Sequence, residues 1–343
     1  MRIVFSEGHR AYAPPSEFEG GRLTPAVETP KRAESVLQAL RARKLGPIEP
    51  PMHFGHEPIL RVHDAEFLHF LRTAMPAWRA HHGADSNIAF PSNFPGRALR
   101  QVAGRSIEGQ IGYYAFDTAT PLMDGTWEAA LTAVNVALTA ARHIDRGQGS
   151  AFALTRPPGH HAAADLFGGY CFLNNAAIAA QFLVDQGARP AILDVDYHHG
   201  NGTQAIFYER SELLFVSIHA DPAYAYPHYL GYADETGQGP GLGYTLNLPL
   251  PTGTEWPAYA EALTTAMASI RAFGADTLVV SLGLDTYEKD PISKFRLKAD
   301  DYSRLGQALG SLRIPALFVL EGGYAVDDLG LICANVLEGF QGA

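Results

Sequence analysis

Six short apolar runs constrain the fold of this chain more than any other feature of its sequence. They are rich in Val, Ile, Leu and Phe and nearly free of polar residues, as expected for strands covered on both faces. The runs lie at 2–5, 150–154, 191–195, 213–218, 277–282 and 316–320. Helical patterns separate them, at 31–44, 127–145, 174–187, 256–274, 301–312 and 327–340. The alternation predicts an α/β fold with a central, mostly parallel sheet and helices on both faces.

No linker or internal repeat divides the chain, so we expect one domain over residues 1–343. The exception to the regular pattern is 76–108, which holds His81, His82 and several prolines and glycines and shows little periodicity. A stretch of this length without strong structure is typically functional or disordered. A plain surface excursion is the alternative interpretation.

The charge of the chain narrows the choice of partners. The formal net charge is −10 and there is no Lys/Arg block, which makes nucleic acid and anionic membrane surfaces poor partners and a small cationic substrate a better one. The first residues, MRIVFSEGHR, lack the apolar region of a signal peptide, and no apolar run approaches the length of a membrane span. With only two cysteines, we expect a cytoplasmic protein.

Polar clusters follow four of the six apolar runs. They are RPPGHH at 156–161, DYHHGNG at 196–202, GLDTYEKD at 283–290 and EGGY at 321–324. Ligands of open α/β sheets bind outside the carboxyl ends of the strands. Four clusters at one edge therefore indicate a single active site.

A metal site is the first chemistry that these clusters suggest. Asp194, Asp196 and His198 are two residues apart and share one face if the strand stays extended. With Asp285, the pair Asp196 and His198 gives two carboxylates and one imidazole, an open ligand set typical of a catalytic metal. Zn²⁺ is the first choice, and Fe²⁺, Co²⁺ or Mn²⁺ would also suit. The alternative is a hydrogen-bonded Asp196–His198 pair at a strand end.

Proton transfer is the second chemistry. His160 and His161 follow a stiff Pro-Pro-Gly turn, and an imidazole titrates near neutral pH. Asp194 and Asn201 are candidate partners for the two rings. Tyr324 follows two glycines and could donate its O–H to an oxyanion. The alternatives are surface histidines and a rim tyrosine.

Together these residues resemble a known family. PPGHH, DVDYHHGNGT, SLGLD and EGGY look like the zinc-dependent histone deacetylase superfamily, in an order that spans about residues 2 to 340. Within it, SIEGQIGYY, LFGGYCFLNNAA, PHYLGYADETG and DTYEKDPISKF most closely resemble bacterial acetylpolyamine amidohydrolases. The resemblance implies the arginase/deacetylase fold with about eight strands, and Zn²⁺ bound by Asp196, His198 and Asp285.

The resemblance also implies roles for the catalytic side chains. His161 corresponds to the general base and acid, His160 to its electrostatic partner held by Asp194, and Tyr324 to the oxyanion donor. Asn201 stands behind His161 where some family members have a second aspartate. Arg32 matches an arginine beside an internal cavity.

Further positions correspond to substrate and ion contacts. Tyr170 and Tyr226 match the aromatic pair around the substrate's alkyl chain, with a backbone carbonyl from Gly168 or Gly169. Glu108 matches a carboxylate that faces the distal ammonium, and Asp117 is a weaker match for the same role. A structural K⁺ site would take oxygens from Asp194, Asp196, His198 and Ser217. Segment 76–108 would pair two subunits and narrow the channel.

We therefore expect a Zn²⁺ amidohydrolase that deacetylates N-acetylated polyamines or diamines, such as acetylputrescine or acetylcadaverine. A protein acetyl-lysine deacetylase is the alternative with the same chemistry. A catalytically silent binding module would be an alternative of another class, but the intact set of polar residues argues against it. A dimanganese hydrolase is disfavoured because no second acidic cluster lies beside His198.

Overall fold

The centre of the molecule is an eight-stranded sheet in which every strand is parallel to its neighbours. The computed structural model describes residues 1–343. Strands β1 to β12 are Arg2–Val4, Ser16–Glu19, Arg22–Pro25, Ile48–Glu49, Ile88–Ala89, Leu122–Met123, Ser150–Ala153, Pro190–Asp194, Leu214–Ala220, Thr245–Leu250, Thr277–Leu282 and Ala316–Leu320. The order in the main sheet is β10-β9-β8-β11-β12-β7-β1-β4. Strands β2–β3 and β5–β6 form two small antiparallel pairs.

Helices cover both faces of this sheet. Helices α1 to α10 are Lys31–Ala42, Glu57–Leu60, Ala65–His82, Ile107–Tyr114, Thr126–Asp145, Asn175–Asp185, Asn201–Phe207, Trp256–Phe273, Ala299–Gly310 and Val326–Gln341. None of them is long and apolar enough to cross a bilayer.

Two hydrophobic clusters lie on opposite faces of the sheet. On strand β8, Leu193 belongs to the cluster that α1, α8, α9 and α10 cover, whereas its neighbour Ile192 belongs to the cluster under α3, α5 and α6. Successive side chains of a strand point to opposite faces, so a strand buried on both sides is apolar at every position. This confirms the predicted α/β class.

The structure contains elements that the six apolar runs did not predict. Strands β4 and β10 lie at the two edges of the main sheet, and neither corresponds to one of the six runs. Strand β10 is half-buried, and polar residues such as Thr245 and Asn247 alternate with its leucines. In addition, the first part of 76–108 is not irregular, because α3 continues through Pro76 to His82. The buried face of α3, which includes Phe70 and Met75, keeps the helix in place despite the hydrogen bond that a proline removes. The extent of the single domain stays a prediction.

The topology brings the four polar clusters together. They follow β7, β8, β11 and β12, and these four strands are consecutive in the sheet, in the order β8-β11-β12-β7. Because the strands are parallel, their carboxyl ends meet at one edge.

Candidate active site

Three buried side chains form the centre of the site at this edge. The Nδ1 atom of His198 lies 2.9 Å from Oδ2 of Asp285 and 3.3 Å from Oδ1 of Asp196. Their donor atoms all lie within 4.8 Å of one another, and both carboxylates are fully buried. The structure thus brings together the three residues predicted as metal ligands.

The chain turns after β8 rather than staying extended, and carboxylates hold this turn. Oδ1 of Asp194 accepts from the N–H of Asp196, and Oδ1 of Asp196 accepts from the N–H of His198. In an extended strand, Asp194 would share a face with Asp196 and His198. Because the chain turns, it does not. It faces His160 instead.

The electrostatics of the three residues suit a divalent cation. Burial and the neighbouring Asp196 raise the pKa of Asp285 to about 7. Two buried carboxylates side by side are unfavourable unless a proton or a cation compensates their charge. Two carboxylates and an imidazole form an O/O/N donor set that Zn²⁺ and related divalent metals accept.

The two adjacent histidines have opposite electrostatic settings. The Nδ1 atom of His160 lies 3.0 Å from Oδ2 of Asp194. Burial lowers the pKa of His160, but Asp196 and Asp194 outweigh burial and raise it to about 10. His161 donates from Nδ1 to Oδ1 of Asn201 over 2.6 Å, which leaves Nε2 as the acceptor. Burial, His160 and His198 lower the pKa of His161 well below its usual range.

Glu321 supports this histidine pair, a role that its sequence context alone did not predict. Its Oε2 atom accepts from the backbone N–H groups of Gly159 at 2.6 Å and His160 at 3.1 Å. The residue is fully buried. Its position directly after the apolar run 316–320 was the available signal, since a carboxylate there has to find a partner at the site edge.

Tyr324 lies at the wall of the site, and its backbone is anchored. Its N–H donates to Oδ2 of Asp290 at 2.7 Å. The buried Arg32 donates from Nε to the carbonyl of Gly323 at 2.6 Å, and its guanidinium lies 4.6 Å from the centre of the Tyr324 ring. Arg32 also pairs with Glu28 at 2.8 Å, so it is a buried structural residue and not a surface arginine.

A cavity of about 250 Å³ opens above these residues. His161, His198, Tyr170, Tyr226, Gly169 and Tyr324 are among the residues that line it. The backbone of Gly169 has φ of +56°, and a Cβ there would lie 2.2 Å from Cδ2 of His161, so only glycine fits. The predicted substrate-binding residues Tyr170, Tyr226 and Gly169 are thus all at the cavity.

Asp117 joins the two sides of the cavity. Its Oδ2 atom accepts from the N–H of Gly169 at 2.6 Å and from the hydroxyl of Tyr226 at 2.8 Å. Its Oδ1 atom accepts from the N–H groups of Ala119 and Thr120. The residue is therefore held in place at the cavity wall and is not part of a solvated loop.

The β2–β3 hairpin adds two carboxylates that were not predicted from the sequence. Buried Glu17 accepts from the Tyr170 hydroxyl at 3.3 Å, and burial raises the pKa of Glu17 to about 7. Exposed Glu19 lines the cavity. The alternation in SEFE places both on one face of a strand, but nothing in the local sequence indicates which side chains that face meets.

Glu108 is not brought to this cavity. Its Oε1 atom instead lies 3.0 Å from Nε2 of His81 and 3.1 Å from Nε2 of His82. Within one chain, the structure therefore does not support contact between Glu108 and a substrate in the cavity. Such a contact would need a second subunit.

Comparison with known proteins identifies the family of this chain. The model of the histone deacetylase domain matches residues 26–340. The chain belongs to the histone deacetylase family. The family and fold predictions are thereby confirmed, and the family implies a divalent metal, typically zinc.

Several of the similar proteins match over nearly their full length. The chain is 51% identical to acetylpolyamine amidohydrolase 2 of Pseudomonas aeruginosa, over 100% of this chain and 99% of the relative. It is 50% identical to the acetylpolyamine amidohydrolase of Mycoplana ramosa, over 100% of both chains. The crystal structure of an acetylpolyamine aminohydrolase from Burkholderia pseudomallei superposes with a TM-score of 0.94 at 41% identity, over 99% of this chain and 98% of that one.

Proposed function

We propose that this enzyme hydrolyses the acetyl amide of N-acetylated polyamines or diamines, with Zn²⁺ held by Asp196, His198 and Asp285. The observation that carries the proposal is the His161 ring beside these ligands, at the floor of a cavity walled by Tyr170 and Tyr226. The names of the full-length relatives support the substrate class.

When bound, the metal supplies Lewis acidity, which polarises the acetyl carbonyl and makes water a better nucleophile. His161 accepts a proton at Nε2 from the attacking water, because Nδ1 already donates to Asn201. Its depressed pKa keeps that nitrogen free at neutral pH. The Tyr324 hydroxyl donates to the carbonyl oxygen as negative charge develops there.

The second half of the reaction breaks the carbon–nitrogen bond. His161 returns its proton to the departing amine nitrogen, and the products are the free amine and acetate. His160, held by Asp194 with its pKa at about 10, carries a positive charge next to His161. This charge stabilises the anionic transition state and disfavours premature protonation of His161.

The cavity suits a small cationic substrate. Two tyrosine rings can contact an alkyl chain, and the carboxylates of Glu19 and Asp117 line the same cavity. With a net charge of −10, the whole chain also attracts cations at low ionic strength.

Three further parts of the proposal concern ions, assembly and location. We infer a structural K⁺ beside the metal, since Ser217 lies in register with Asp194 on the neighbouring strand. We infer a homodimer built through the 76–108 segment. We infer a cytoplasmic location, because Cys171 and Cys333 are buried and unpaired, as in a reducing compartment.

Steady-state kinetics on a substrate panel tests the function. The kcat/KM for acetylputrescine, acetylcadaverine, acetylspermidine and acetylspermine is compared with that for an acetyl-lysine peptide. We expect the small cationic substrates to be favoured and Glu19→Gln to lower their kcat/KM by roughly two- to fivefold, the scale of an exposed ion pair. Glu261→Gln, on the exposed face of α8, is the control that should change nothing. A preference of the native enzyme for the peptide would overturn the polyamine assignment and favour a protein deacetylase.

A further inference from the structure

A second group of metal-ligating side chains lies away from the catalytic site. His81 and His82 are the last two residues of α3, and Glu108 is in the first turn of α4. The donor atoms of the three residues all lie within 4.8 Å of one another. All three side chains remain accessible, with exposed fractions of 59%, 34% and 33%.

The convergence of the two imidazoles is unusual for their spacing. Adjacent residues on a helix do not face each other, so neighbouring histidines normally diverge. Here both Nε2 atoms approach the same oxygen of Glu108, at 3.0 and 3.1 Å. The His82 ring also packs against Trp78, with ring centres 3.8 Å apart, which restricts its rotation.

These distances are similar to those within the group Asp196, His198 and Asp285. There, the nitrogen of His198 lies 2.9 and 3.3 Å from the two carboxylate oxygens. Tetrahedral Zn²⁺ with bonds near 2.0–2.1 Å separates its donor atoms by about 3.3 Å. In both groups, these donor atoms are therefore at or slightly below the separation expected in a tetrahedral Zn²⁺ site.

The carboxylate of Glu108 also suits a cation. The pKa of Glu108 is lowered, mainly by its own backbone N–H at the start of α4 and further by His81 and His82. The carboxylate is therefore ionised at neutral pH. A metal would take the place of the protons on both Nε2 atoms, and water would complete the coordination.

We propose that His81, His82 and Glu108 form a second divalent metal site, of the borderline class that includes Zn²⁺, Co²⁺ and Ni²⁺. Two imidazoles and one carboxylate are the donors that these metals share. The site links the end of α3 to the start of α4, and so connects the two ends of the segment 83–106 between them. It does not depend on the proposed substrate.

Isothermal titration with Zn²⁺ tests the proposal on full-length, metal-free protein without a histidine tag. We expect two equivalents for the native chain and one for the double variant His81→Gln, His82→Gln. Asp285→Asn should also bind one equivalent, at the outer site. His69→Gln, an exposed histidine on the same helix, is the matched control and should bind two.

The results separate this site from the catalytic one. One equivalent for the native chain, lost in Asp285→Asn, would overturn the second site and leave the catalytic site intact. Two equivalents retained by the double histidine variant would also overturn it. The absorption spectrum of Co²⁺-loaded Asp285→Asn gives a second measurement. It should show the bands of tetrahedral Co²⁺ with nitrogen and oxygen ligands, and these bands should vanish when His81 and His82 are also replaced.

Discussion

At the scale of single residues, the identity of one partner decides the chemistry of the site. His160 faces the carboxylate of Asp194, whereas His161 faces the neutral amide of Asn201. The two imidazoles are only 4.0 Å apart between ring centres, yet the pKa of the first is raised and that of the second lowered. A charged residue and a proton acceptor can therefore stand side by side at neutral pH.

Replacing Asn201 by Asp should reduce this difference in pKa. A carboxylate at Nδ1 of His161 favours the imidazolium and should raise the pKa of His161. Because protonated His161 cannot accept a proton, the acidic limb of the kcat/KM profile should move to higher pH. Asn93→Asp adds the same charge at an exposed position and should leave the profile in place. A pH–rate profile of Asn201→Asp that coincides with the native one would contradict the role of His161 as base.

At the scale of elements, the start of α6 connects several loops of the site. Asn174 caps the helix by accepting from the N–H of Ala177, and its side chain donates to the carbonyl of Ala162 and to Thr203. Its own N–H donates to Nε2 of His63 at 2.9 Å. The buried His63 is therefore neutral, with its proton on Nδ1 towards the carbonyl of Ala164.

His63 should make the stability of the fold depend on pH. Burial lowers the pKa of His63 from 6.5 to about 4, so the unfolded chain binds a proton between these values and the folded chain does not. The stabilisation is complete above pH 6.5 and is lost as the pH falls towards 4, by at most about 3 kcal/mol.

The variant His63→Gln measures this contribution, because its amide oxygen can accept from Asn174 but does not titrate. Urea unfolding of both metal-free proteins at pH 7 and pH 4 gives the comparison. We expect the free energy of unfolding of the native chain to fall by about 3 kcal/mol more than that of the variant. Equal losses in the two proteins would show that His63 is not the titrating group.

At the scale of the whole molecule, the surface of the 76–108 segment bears on assembly. After α3 and the short β5 strand, the segment exposes Leu99 by 63% and Val102 by 49%. Contiguous exposed apolar patches are typical of contact surfaces. This is the part of the segment on which the proposed dimer rests.

Leu99→Arg should therefore give a monomer in light scattering, because a buried unpaired charge would oppose the contact. Leu331→Arg is the matched control: Leu331 is an exposed leucine on α10, 41% accessible, and its replacement should leave the dimer intact. A native protein that is already monomeric, or a Leu99→Arg variant that remains dimeric, would refute the proposed interface.

Much of this protein follows from local sequence. Apolar runs such as 191–195 and 277–282 predict buried strands because every position of such a strand meets a hydrophobic layer. Polar residues directly after these runs predict a site at the sheet edge. The proposed catalytic residues, among them Asp196, Asp285 and His161, could be named because each lies close to a recognisable strand.

The tertiary structure alone decided which distant groups meet. The strand order β8-β11-β12-β7 places the four clusters side by side, and it depends on pairings between strands far apart in the chain. Glu321 under His160, and Glu17 beside Tyr170, are contacts across more than 150 residues. Pro76 stays helical because a buried face outweighs a local preference. Local patterns specify which surface an element buries, but the partner of a buried polar group depends on the packing of the whole chain.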